Sequence, residues 1–139
     1  MSFREKTAWA SMLATGGVWG VYFWMLWPDL QDRSLQAGSV GLFIGGVVVL
    51  TIIQIIVAIA LALSAGKAAD APMDERERLI DLKGAGAGFN ALNAACICAS
   101  ALWLIGASPL VMANAILAAL VIGEVVRSGL VIVGYRRGR

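Results

Sequence analysis

The sequence predicts an all-α fold: an integral membrane four-helix bundle with N- and C-termini cytoplasmic. Three observations carry this. Of the 139 residues, 60% are hydrophobic and only 14% are charged, about half the charged share of an ordinary soluble domain. The apolar residues gather into four runs of span length, and mean hydropathy over the chain is +0.82. Nine of the eleven Lys and Arg residues fall on one side of those runs. Such a composition excludes a soluble globular enzyme and a disordered tail. The length accommodates a single membrane domain, residues 1–139.

The first span is 8–27, AWASMLATGGVWGVYFWMLW. A helix of about 20 residues rises about 30 Å, one bilayer core. The run is long and Trp-rich and lacks a small-x-small cleavage site, so it is expected to be a retained span rather than a signal peptide. Pro28 is expected to stop the helix, and the polar PDLQDRSLQAGS to form a short loop. The second span, 40–65, is longer than one crossing needs, which implies tilt or protruding ends. Residues 66–86 are the polar stretch, expected as a cytoplasmic loop. The third span covers 87–107, Ser108 and Pro109 make a tight connection, and the fourth span covers 110–134 before YRRGR.

Charge sets the orientation. Arg4, Lys6, Lys67, Arg76, Arg78, Lys83, Arg136, Arg137 and Arg139 flank one end of the spans, and only Arg33 the other. By the positive-inside rule the termini and the middle loop are expected to be cytoplasmic, in a multi-pass protein in contact with lipid. Trp24, Trp27 and Trp103 fall near the outer interface, and Trp9 and Tyr135 near the inner one.

Lipid gives apolar helices no hydrophobic reason to associate, so small residues that permit close approach matter. Gly16 with Gly20, Gly41 with Gly45, Ala91 with Ala95 and Ala99, and Ala115 with Ala119 and Gly123 form such stripes. They are expected to pack within the bundle, and the alternative is that one stripe makes a homodimer. The intramembrane polar residues Gln54, Asn90, Asn93 and Asn114 are each expected to bond a neighbouring helix.

The most informative local feature is GEVVRSG in the fourth span. Glu124 sits near mid-membrane and Arg127 one turn nearer the cytoplasm, on the same helix face. A charge at the bilayer centre costs at least about 2.5–3.5 kcal/mol, so this intramembrane charged pair must face the bundle. Glu124 and Arg127 are expected to pair with each other, with Asn90 or Asn93 in support, or Arg127 with a loop carboxylate. A functional alternative makes Glu124 a coupling carboxylate in transport or sensing. A further one makes Arg127 an anion or lipid-headgroup site.

In the loop, Asp74 and Glu77 form a capping-box-like start after Pro72, and a short helix from Glu75 to Lys83 should follow. Gly84, Gly86 and Gly88 should loosen the backbone beyond it. The mixed charges of Asp74, Glu75, Arg76, Glu77, Arg78, Asp81 and Lys83 suit either a solvated helix at the headgroups or a partner-binding loop. There is no basic stripe for direct nucleic-acid binding.

No catalytic constellation is legible. The chain has no histidine and two cysteines, Cys96 and Cys98, which point to different sides of a helix. A His-ligated metal or haem, a disulfide framework and a histidine-activated nucleophile are excluded. No metal site, no cofactor and no enzymatic activity are expected.

Taken together, MDERERLIDLKG and EVVRSGLVIVGYRRG resemble the motifs of a family of small, uncharacterised bacterial four-span inner-membrane proteins, a domain of unknown function. Its members open with a charged segment like SFREK, carry a DERE-type cytoplasmic loop and end on Glu-x-x-Arg and YRRG. Gly86, Gly88 and Ser128 depart from that pattern. The resemblance implies a cytoplasmic partner, a small helix-turn-helix transcriptional regulator that the protein would tether or signal to. The leading expectation is therefore a non-enzymatic membrane protein that binds a cytoplasmic partner through residues 74–83. The alternatives are a small dimeric transporter using Glu124, and a structural subunit of a larger membrane complex.

Overall fold

A computed structural model of the chain describes residues 3–32, 37–66 and 72–137. Arg33, Lys67 and Arg139 of the charge pattern lie outside the described residues. Four long helices follow one another: α1 Phe3–Asp32, α2 Ala37–Ala65, α3 Glu75–Ala101 and α4 Pro109–Arg137, with a 3-10 turn Leu102–Ile105 before α4. Three segments, Val40–Ala65, Glu75–Ile105 and Pro109–Arg137, are long and apolar enough to cross a membrane. α1 has 30 residues, but Trp9, Trp19, Tyr22, Trp24 and Trp27 lower its hydropathy, because their rings carry polar N–H and O–H groups.

Two boundaries differ from the sequence expectation. Pro28 does not stop α1, which runs on to Asp32. Pro28 lies close to the helix end, where its missing N–H frees one carbonyl and breaks no long run of bonds. Likewise, there is no separate loop helix ending at Lys83, and the third helix does not begin near Ala87. α3 starts at Glu75 and passes without interruption through Gly84, Gly86 and Gly88. Asp74 caps it, its carboxylate accepting from the Glu75 N–H at 2.8 Å. The expected capping box does not form: the Asp74 carboxylate takes the Glu75 N–H rather than that of Glu77, and the Glu77 carboxylate turns to Arg4.

The glycines keep α3 helical by contact rather than by propensity. A Cβ at Gly84 would lie 2.7 Å from Val131 Cγ2, and one at Gly88 would lie 2.7 Å from Arg127 Cβ and 2.8 Å from the Gly123 carbonyl oxygen. These positions let the α3 and α4 backbones meet along the most extensive interface of the fold. Ala99, Ala119 and Gly123 are buried there as expected. Gly106, at φ 70°, reverses the chain between the two helices, and Ser108 starts α4 by accepting the Val111 N–H on its hydroxyl at 3.4 Å with Pro109 at the first helical position.

The helices pack as a row, α2–α1–α4–α3. Contacting residues fall in number along one helix as they rise along its neighbour, as in Ser11–Glu124 and Tyr22–Asn114, so neighbours run antiparallel. Both described chain ends and the start of α3 therefore share one end, the terminal end. The opposite half holds the apolar core: Trp19, Tyr22, Leu26 and Leu117, with Phe23, Leu42, Leu50 and Val121 against them. Trp19 and Tyr22 meet edge to face at 5.2 Å. α2 packs on α1 alone to any extent, and none of its described residues is fully buried. The Gly16–Gly20 and Gly41–Gly45 steps do not pack as expected: a Cβ at any of the four would meet nothing within 4 Å. They border open space because Trp19 and Tyr22 set the α1–α2 spacing, with Trp19 Cζ3 3.3 Å from a Cβ built at Gly46.

Candidate functional site: a polar cavity at the terminal end

Near the terminal end α1, α3 and α4 line a cavity of about 330 Å³. Its charged and hydroxyl-bearing walls are Arg4, Thr7, Ser11, Asp81, Glu124, Arg127, Ser128 and Tyr135. Glu124 is the deepest charge, at the midpoint of α4. Its Oε1 accepts from the Ser11 hydroxyl of α1 at 3.0 Å and from the Ser128 hydroxyl one turn along α4 at 3.2 Å. Its Oε2 lies 3.9 Å from Arg127 Nη1. Arg127 Nη2 reaches Asp81 of α3 at 3.5 Å. The guanidinium thus bridges a carboxylate at the inner wall and one nearer the mouth, and both contacts are longer than a close charge-assisted hydrogen bond.

The rim is tied by further pairs. Arg4 meets Glu77 at 3.4 Å. Arg136 meets the buried Glu5 at 3.9 Å and lies 5.3 Å above the Trp9 ring. Two of the acidic residues expected on a free loop surface, Glu77 and Asp81, are thereby drawn into internal ion pairs. Asp74 serves as the cap, while Glu75, Arg76, Arg78 and Lys83 are exposed.

Gln54 and Asn114 bond neighbouring helices as expected. Gln54 donates to Thr15 Oγ1 at 3.4 Å. Asn114 accepts from the Tyr22 hydroxyl at 2.8 Å and donates to the Leu110 carbonyl at 2.9 Å. Asn90 and Asn93 do not support the charged pair. Both are exposed, and among the described residues neither side chain makes a hydrogen bond. The reason is angular: at about 100° per residue they stand on the side of α3 opposite Gly84 and Gly88, whose contact with α4 fixes the rotation of the helix.

Sequence reasoning missed Ser11, Glu5 and the part played by Ser128. Ser128 is legible, being four residues after Glu124 on the same face. Ser11 and Glu5 come from α1, and nothing local marks them. A second hollow, of about 580 Å³, lies between α1 and α2 over Gly17, Gly41, Gly45 and Gly46, with apolar walls from Val18, Val21, Met25 and Val49. Among the described residues no cluster of three or more Cys, Asp or Glu suits a metal ion. No family model matches this chain, and no curated protein and no solved structure matches it either.

Proposed function

We propose that this chain is a non-enzymatic, multi-pass inner-membrane protein that binds a small anionic solute in the terminal-end cavity and moves it with a proton carried on Glu124. The observation that carries the reading is the Glu124–Arg127–Asp81 arrangement at the cavity wall. Arg127 is shared by two carboxylates. A proton on Glu124 removes one of them from the competition and frees part of the guanidinium for a carboxylate or phosphate group. Loss of the proton restores the pair and displaces the anion. Ser11 and Ser128 suit both states, because a hydroxyl donates to a carboxylate and also accepts from a carboxylic acid. A second cation is a poor occupant, since Arg127 already neutralises Glu124. The excess of Lys and Arg at the terminal end supports a cytoplasmic mouth, and the aromatic core supports closure on the far side.

The test uses pyranine-loaded liposomes carrying the purified protein. Proton entry is followed on adding membrane-impermeant di- and tricarboxylates and inorganic phosphate one by one. At least one should drive proton entry with wild type and none with Glu124→Gln. Silence of the wild type across the panel removes the reading.

A second reading has its own support. Glu75, Arg76 and Arg78 are exposed, and among the described residues none is in an ion pair. A cytoplasmic protein, such as the helix-turn-helix regulator that the family resemblance implies, would dock there. Charge reversal at Arg76 and Arg78 should then abolish its co-purification in mild detergent without loss of insertion. Unchanged capture removes the docking assignment.

A further inference from the structure

α3 is the edge of the helix row, and its two sides differ in kind. One side, Gly84, Gly88 and Ala99, is buried against α4. On the opposite side Gly86, Asn90, Asn93, Ile97 and Ser100 follow one another at spacings of four, three, four and three, and all five are exposed. That is the alternation of a two-helix seam. Ser100 satisfies itself by donating to the Ile97 carbonyl at 2.8 Å. The two amides do not, and Asn90 lies at the middle of the 31-residue segment Glu75–Ile105 that is apolar enough to cross a membrane. Lipid tails offer an amide no hydrogen bond there, so a bare pair is costly.

We infer that this seam is a homodimer interface in which Asn90 and Asn93 bond the same residues of a second copy. Two properties select a second copy over another occupant. A primary amide carries both donors and an acceptor, so it is its own complement. A copy inserted with the same topology also brings its amides to the same depth, and two-fold symmetry about the membrane normal sets them face to face. The inference rests on membrane insertion and is independent of any solute in the cavity.

The experiment measures dimer fraction by single-molecule photobleaching of labelled protein in liposomes as the protein is diluted in lipid. Wild type should dimerise, and Asn90→Leu/Asn93→Leu should weaken dimerisation by roughly tenfold or more. Both substitutions make an exposed apolar surface more apolar, so folding is not at risk. Ala62→Leu on the exposed side of α2 should leave the dimer intact. In a Cys96→Ala/Cys98→Ala background, oxidation should cross-link Asn90→Cys and Ile97→Cys but not Ala94→Cys, which stands off the seam. A monomer at every density, a dimer indifferent to the leucines, or cross-links to a foreign polypeptide from native membranes would each overturn the inference.

Discussion

Gly86 and Gly88 are two residues apart on one helix, and alanine at each should move stability in opposite directions. At Gly88 the new Cβ would sit 2.7 Å from Arg127 Cβ and 2.8 Å from the Gly123 carbonyl oxygen. Neither neighbour is the free end of a flexible side chain. Ordinary contact needs about 3.5 Å, so α3 and α4 must part by roughly 0.7 Å, which forfeits about a quarter to a half of the dispersion energy of each contact across the seam. Overpacking of this kind costs about 1–3 kcal/mol, offset by about 1 kcal/mol from the better helix propensity of alanine. Gly88→Ala should therefore be destabilised by up to about 2 kcal/mol, and should fall about 1–3 kcal/mol below Gly86→Ala. At Gly86 a Cβ meets nothing within 4 Å, and only the propensity gain of about 1 kcal/mol remains. The assay is reversible unfolding in mixed micelles by titration with a denaturing detergent, followed by helical circular dichroism at dilutions where the protein is monomeric. A Gly88→Ala protein as stable as Gly86→Ala, or a destabilised Gly86→Ala protein, would refute the close-approach account of α3.

Other outcomes follow from individual contacts. Tyr22→Phe removes the donor to Asn114 and should cost about 1 kcal/mol in the same assay, whereas Trp24→Phe, at an exposed position, should cost little. Arg127→Met leaves Glu124 without its cation and should lower the yield of folded protein, and adding Glu124→Gln should restore much of it. Asp81→Asn should change stability by less than about 1 kcal/mol, because both partners of that ion pair are nearly half exposed. Reporter fusions should give a fluorescent protein at Arg139 and an active alkaline phosphatase at Ser108. An active phosphatase at Arg139 would reverse the proposed orientation.

The four helices are legible in the sequence because apolar runs of span length and the polar joints between them are local signals. The Ser108–Pro109 start of α4 is legible for the same reason. The glycines of α3 are not. GAGAG has poor helix propensity, and its local reading is a loosened backbone. Its real role depends on Gly123, Arg127 and Val131, about 40 residues further along the chain, which press against Gly84 and Gly88. Pro28 misleads in the same way, because its cost depends on how much helix follows it. At the site, the pairing of Glu124 with Arg127 and the single turn to Ser128 can be read from spacing alone. Ser11, Glu5 and the Arg4–Glu77 tie need the order of the helix row, and that order rests on contacts between helices, such as Tyr22 with Phe43 of α2 and with Asn114 of α4, that no single helix reveals.

The depth of the polar groups links the two proposals without making one depend on the other. A Cβ built at Gly123 meets Leu92, and one at Gly88 meets Gly123, so Glu124 lies level with the turn of α3 that holds Asn90 and Asn93. At this level the fold turns one polar group inward and the others outward. The inward group is the carboxylate, which receives two hydroxyls and a guanidinium. The outward groups are neutral amides whose side chains have no partner among the described residues. This division follows the relative cost of exposing each to hydrocarbon: an uncompensated charge is far more expensive than an amide. A single copy can thus satisfy its mid-depth charge by folding, while its mid-depth amides call for association. If so, Asn90→Leu/Asn93→Leu should separate the copies and leave proton movement through Glu124 intact. Glu124→Gln should do the reverse. Loss of both properties from either substitution would mean that the carboxylate and the amides belong to one site, and the division argued from their surroundings would fail.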